Sequence, residues 1–295
     1  MKKQSGQAVL IVLLSMAVVL TIVLSILAAS TTDIKLSTNE SQSLRAFSAA
    51  EAGIEKALVA NTSSNGTIGS ANFTANVTGL AQGQTNYVYP QDVANGDSGI
   101  LWFVAHDSTG SLVCNQGSPC FTGRSVKVCW GKPGTAANAA TTPAVEISVY
   151  YLSTPGDYST AKVAKAIYDP NNGRIASNSY SPSDNPGTTC TVGSSSYAFQ
   201  KTIDLSSLGV AAGVYSVQNG LQFMPIKMLY NSAESQPLGI DLSLPGNSTI
   251  PSQGNQVDST GTVDQASRKI QVSKGYGQVP SIFDAAIFSP SQLVQ

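Results

Sequence analysis

The sequence predicts an α+β chain, in which a long N-terminal helix, transmembrane in its first part and amphipathic in its second, is followed by a mainly antiparallel β globular domain. Three observations carry this expectation. Residues Gln4 to Thr32 hold no charge, and their apolar heart, Ala8 to Ala29, is 22 residues long. Asp33 to Leu58 contain no proline and a single glycine. Beyond Asn65 the pattern changes to short alternating or β-branched runs separated by Gly, Pro, Asn and Ser. These boundaries give a short basic start at 1–6, a helix at 7–60 and a β-rich remainder at 61–295.

As a helix, the segment from about 8 to 29 is long enough to cross a hydrocarbon core of about 30 Å. Lys2 and Lys3 flank one end, and the first charge at the other is Asp33. That asymmetry places the N-terminus in the cytoplasm and the remainder outside, giving a single-pass protein of the cytoplasmic membrane. Ala28-Ala29-Ser30 has the small residues of a signal-peptide cleavage site. The apolar stretch, however, exceeds the roughly 7–15 residues of a secretory h-region. Retention as an anchor is therefore the expectation.

In the second part of the helix, Leu44, Phe47, Ile54 and Leu58 fall at helical spacing and predict one packing stripe. Glu51 lies near that stripe and is expected at its edge, because a buried unpaired carboxylate is costly. The run "NTSSNGTIG" at 61–69 reads as helix exit and loop. After it, "NFTANVTGL", "GILWFVAHD", "SVKVCW", "AVEISVYYL", "KVAKAIYD", "LQFMPIKMLYN", "PLGIDLSL" and "RKIQVSK" read as strands. They fit one sandwich-like unit or a smaller sheet carrying a large β insertion. Small-residue stretches at 131–143 and 177–189 are candidate seams between subdomains, or surface loops within one.

Charged residues make up 11% of the chain and the formal net charge is −1. No basic patch is available for a phosphate backbone, so nucleic acid is not an expected partner. The four cysteines, Cys114, Cys120, Cys129 and Cys190, lie on the expected outer side, where disulfides form. Cys114 and Cys120 bracket the turn-rich "NQGSP", which favours their pairing and leaves Cys129 to meet Cys190. His106 is the only histidine, so a Ser or Cys triad has one candidate base, and no metal or cofactor motif is present. "DPNNG" at 169–173 begins like a calcium loop but lacks the downstream glutamate, and reads first as a turn. No enzymatic activity is expected. Six N-x-S/T triplets decide nothing in a chain so rich in Asn, Ser and Thr.

Gly6 stands between a short basic leader and the apolar helix, and "LRAFSAAEAGIEKAL" occupies 44–58. Together these resemble the class III signal and the post-membrane helix of PilX-type minor pilins, members of the type IV pilin group. The resemblance covers about the first fifth of the chain. It implies a prepilin peptidase as partner, cutting between Gly6 and Gln7, with methylation of the new N-terminus. It further implies burial of the retained helix among other pilin subunits, in a surface filament of a type IV pilus or pseudopilus. Many pilins carry a glutamate at the fifth mature residue, whereas this chain has Ile11. A carboxylate in the membrane costs about 2.5–3.5 kcal/mol on insertion scales, so its loss removes a pairing group but eases residence in lipid. The implied role is a minor subunit acting in assembly, tip placement or cell adhesion. The alternatives are a permanently anchored extracytoplasmic β-domain binding protein and, behind it, an anchored hydrolase.

Overall fold

The computed structural model describes residues 5–184 and 189–277, with side chains from Val9 onward in the first helix. α1 (Ser5–Ala60) runs unbroken for 56 residues. Asn61 ends it with φ 53°, a left-handed conformation that asparagine tolerates better than most residues. β1 (Ser64–Ile68) and β2 (Ala71–Gly79) follow. Next come β3 (Asn86–Val88), β4 (Ser98–Trp102), β5 (Ala105–His106), β6 (Leu112–Val113) and β7 (Ser125–Trp130). β8 (Ala144–Leu152) and β9 (Ala161–Asp169) lead to α2 (Asn172–Asn178). β10 (Ser181–Pro182), β11 (Cys190–Val192), β12 (Ser195–Tyr197) and β13 (Phe199–Asp204) precede β14 (Leu221–Leu229) and β15 (Leu238–Asp241). β16 (Gly254–Val263) and β17 (Ala266–Gly275) complete the described chain. The result is one long N-terminal apolar helix followed by a mainly antiparallel β structure, as the sequence predicts.

The chain forms two compact units, and the boundaries differ from those expected. The first ends at Val77 and resumes over Val257–Val272; the second covers Thr78–Gln256 and resumes at Ser273. The stretches at 131–143 and 177–184 are loops and short elements inside the second unit, while 185–188 lie outside the described residues. The loop at 131–143 is held internally. The Thr142 hydroxyl, fully buried, donates to the Ala136 carbonyl at 2.6 Å. Arg174 donates to the carbonyls of Ala140 and Thr142 at 3.1 and 2.7 Å.

The first unit packs the second half of α1 on a four-stranded sheet in the order β1-β2-β16-β17. Ala46, Ala49, Ala50, Gly53, Ile54 and Ala57 are buried, with the i, i+3, i+4, i+7 recurrence of one helix face. They meet Ala71, Phe73 and Ala75 of β2 and Val257 and Val263 of β16. This face corrects the expected stripe. Ile54 is buried and Leu58 half-buried, but Leu44 and Phe47 are 62% and 45% exposed. The reason is distance. A Cβ on Gly261 would overlap the Ala46 carbonyl oxygen and lie 2.7 Å from the Ala50 nitrogen, and one on Gly53 would meet Ser259 Oγ and the Phe73 ring. At that separation only small residues fit between helix and sheet. Glu51 is exposed.

In the second unit, a five-stranded sheet, β10-β9-β8-β14-β4, and a four-stranded sheet, β13-β7-β15-β3, share one core. Leu101, Ile147, Met224 and Ile226 enter it from the first sheet, and Val128, Trp130, Phe199 and Ile240 from the second. Strand alternation sends the intervening residues to the opposite faces. Cys129, one residue out of phase with Trp130, instead joins Cys190, Val192 and Tyr197, so the β11–β12 hairpin covers the back of the four-stranded sheet. Gly239 lies under the Tyr197 ring, which approaches to where a Cβ would sit.

The turn at 169–173 is tied by a buried ion pair. Asp169 is fully buried and accepts from Arg174 Nε at 2.7 Å and Nη2 at 2.8 Å, while the guanidinium lies 4.1 Å from the Tyr230 ring centre. Asp169 also accepts from the Asn171 amide, whose own side chain caps α2. The carboxylate thus has its cation within the chain.

Gly261→Val forces side-chain volume into the helix–sheet seam and should lower the stability of the first unit by about 1–3 kcal/mol, read from its denaturant midpoint. Arg174→Ala leaves Asp169 buried without its counter-charge, and should destabilise the second unit by about 3–5 kcal/mol in thermal or chemical unfolding.

Candidate functional site: an aromatic row beside an uncharged cavity

β8, β14 and β4 are neighbours in the five-stranded sheet, and their register sets three rings side by side on its outer face. Tyr150 pairs with Phe223, and Phe223 with Trp102. The Tyr150 and Phe223 rings stack at 4.5 Å and 10°, and Phe223 and Trp102 are 5.1 Å apart at 42°. On the other side of Tyr150, the same row continues to the half-exposed Val163 of β9. Trp102 then meets the edge of His106 at 4.6 Å, and His106 stacks on Tyr276 at 3.8 Å and 19°. Five rings from five chain segments form one continuous ladder, half-buried throughout.

Two devices fix its outer end. β4 is an edge strand, and the buried Gln253 side chain takes the place of a further strand at Trp102: its Oε1 accepts from the Trp102 amide at 2.7 Å and its Nε2 donates to the Trp102 carbonyl at 2.9 Å. The second device is the Cys114–Cys120 bridge, whose Cα atoms are 5.3 Å apart. Cys120 is buried among Val104 and Ala105, beside Trp102, and so secures the β5 segment that carries His106. The turn after His106 is closed by Asp107, whose carboxylate accepts from the Thr109 hydroxyl and from the amides of Thr109 and Ser111. Those bonds, led by the Thr109 hydroxyl, lower the Asp107 pKa.

A cavity of about 270 Å³ opens beside the ladder. Trp102 and Tyr276 form one side, and Tyr89 and Pro90, just after β3, form another. Gln91, Gln253 and Ser273 add amide and hydroxyl groups, and among the described residues that line it none is charged. Tyr87, at the base, is buried; burial first and the neighbouring Tyr89 second push its phenol well above the usual tyrosine range, so it stays a neutral donor.

The structure places the other residues singled out by sequence as follows. Gly6 and Gln7 lie in the first turn of α1 and outside the residues whose side chains are described; Met1 to Gln4 lie outside the described residues altogether. Ile11 is 60% exposed on the helix. Cys129 is bridged to Cys190 with Cα atoms 5.9 Å apart, 61 residues apart in the chain. His106 faces Trp102 and Tyr276 and has Nδ1 buried without a hydrogen-bond partner among the described residues, so no carboxylate orients it as a base. Among the described residues no three His, Cys, Asp or Glu side chains gather as a metal site. The ladder itself escaped the sequence reading, because Trp102, Tyr150, Phe223 and Tyr276 are scattered over 175 positions and meet only through strand register.

No family model matches the chain, and comparisons with curated proteins and with solved structures give no match. What is shown is the architecture. One helix is long and apolar enough to cross a membrane, and a disulfide-bonded β structure follows it. This arrangement is consistent with a general pilin-like α+β design.

His106 makes the ladder pH-sensitive. Burial lowers its pKa below the ordinary value, with Asp107 opposing in part. The unfolded chain therefore binds the proton at higher pH than the folded one. The stability contribution is present above about pH 6.5, and is lost as pH falls from there through the folded pKa. As the only histidine in the chain, it should account for the loss of thermal stability of the second unit between pH 7 and 5.5; His106→Gln should flatten that slope.

Proposed function

We propose that the protein is a permanently membrane-anchored, extracytoplasmic binding protein, which holds its β structure at the outer surface and uses the aromatic cavity as its binding site. The observation that supports this best is the contrast within the chain. The apolar window of α1 is wholly unburied by the protein, while the β structure downstream has its own closed core and two disulfides. Lipid covers the first, and an oxidising exterior suits the second. Lys2 and Lys3 orient the N-terminus inwards.

A second reading is favoured by one specific feature. α1 continues without a break from its apolar half into a half that packs on a sheet, and Gly6 stands in its first turn, just before the apolar stretch. In this reading the chain is a minor pilin-like subunit. A prepilin peptidase removes residues 1–6, and α1 passes from lipid to the helices of other subunits during assembly. Ile11 offers no charge for a neighbouring N-terminal amine, which suits low copy number or tip placement.

Mass measurement on protein recovered from membranes tests both. The anchored reading expects carbonate-resistant, detergent-released protein still carrying Met1, with the β structure digested by protease added outside intact cells. The pilin-like reading expects an N-terminus at Gln7, recovery in sheared fibres, and a block of both by Gly6→Leu. A soluble product beginning near Thr31 would defeat the two together.

A further inference from the structure

We infer that the cavity beside Trp102 takes a neutral oligosaccharide. The assignment deepens the anchored binding reading and rests on it for the location of the site.

A charged ligand would be stripped of water against Tyr89, Trp102 and Tyr276 and find no opposite charge among the described lining residues. A purely apolar ligand, such as an acyl chain, would desolvate the Gln91 amide and the Ser273 hydroxyl without offering them a hydrogen bond. A sugar ring satisfies both conditions. Its C–H faces pack on aromatic rings, and its hydroxyls donate to and accept from Gln91 and Ser273, with no net charge to compensate. The volume of about 270 Å³ suits one pyranose ring rather than a larger cofactor. The half-exposed row running from Trp102 through Phe223 and Tyr150 to Val163 extends from the cavity and gives further rings of a chain an apolar track. Site rigidity matches this use. The Gln253 amide and the Cys114–Cys120 loop hold Trp102 and His106 in place before any ligand arrives, which reduces the ordering cost of a weak ligand.

The test uses the full chain in a detergent without a sugar headgroup. Maltohexaose, cellohexaose and the N-acetylated chitin hexamer are the neutral probes; an oligogalacturonide and decaproline are the controls. Tryptophan emission reports the site, since Trp130 is fully buried and Trp102 is half-exposed. At least one neutral hexamer should shift emission saturably and release heat on titration, and Tyr89→Ala and Gln91→Ala should each weaken it, the first by about tenfold. Both residues lie outside the strands, and circular dichroism confirms that the variants fold. Overturning results are binding of decaproline or the acidic oligomer alone, no binding of any probe, or sugar binding that both variants leave unchanged. Decaproline binding alone would leave the anchored binding reading standing and remove only the sugar.

Discussion

The structure of the first unit depends on how closely α1 approaches its sheet. Where Gly261 faces Ala46 and Ala50, backbone nearly touches backbone, and at Gly53 the Ser259 hydroxyl and the Phe73 ring fill the space a side chain would take. A closely packed interface of this kind gains dispersion contacts over its whole length, while each extra methylene costs strain. The helix therefore carries Ala46, Ala49, Ala50 and Ala57 inward and leaves Leu44 and Phe47 outside. Phe73 is the exception on the sheet side, and the absence of side chains at Gly53 and Gly66 makes room for its ring.

Chain order connects that seam to the rest. β2 leaves the small sheet at Gly79, and β16 returns to it at Gly254, so most of the second unit is one long insertion between two neighbouring strands of a four-stranded sheet. The insertion has its own sandwich core and its own disulfides. It also contains four of the five ladder rings, from the strands β8, β14 and β4 and the β5 segment, while the fifth, Tyr276, comes from the residue just after β17. The arrangement separates tasks within the chain: small residues build the seam, and large aromatic ones collect where a cavity opens.

Much of the β structure was legible because its strands alternate or run apolar between turn residues. "SVKVCW" and "AVEISVYYL" coincide with β7 and β8, and "LQFMPIKMLYN" contains β14. β16 was not legible. Its "GNQVDSTGTV" is polar and glycine-containing, the composition of a loop, because Ser259 and Gly261 face an adjacent helix rather than a side-chain core. The buried helix face is hidden in the sequence for a related reason: the large apolar residues Leu44 and Phe47 carry the visible periodicity, while alanines make the seam. β13 was hidden by "FQKTID", four of whose six residues are polar, though Phe199 and Ile203 enter the core. The ladder needed strand register, which one sequence does not contain.

The apolar half of α1 poses the remaining physical demand, and its size decides what can satisfy it. From Val9 to Leu27, fifteen large apolar side chains are 47–69% exposed on the helix. At even about 1 kcal/mol each, a fraction of the full burial value, water contact would cost on the order of 15 kcal/mol. That equals or exceeds the whole stability of a typical domain, about 5–15 kcal/mol. The β structure lies beyond Ala60 in the chain and leaves this window uncovered, so the cover must come from outside the chain. Lipid meets the demand for a solitary anchor, and the same helices of other subunits meet it in a filament. Either way an uncharged apolar surface is favoured at Ile11, where a lone carboxylate would add a desolvation cost. The two proposed roles thus share one helix and differ in what surrounds it.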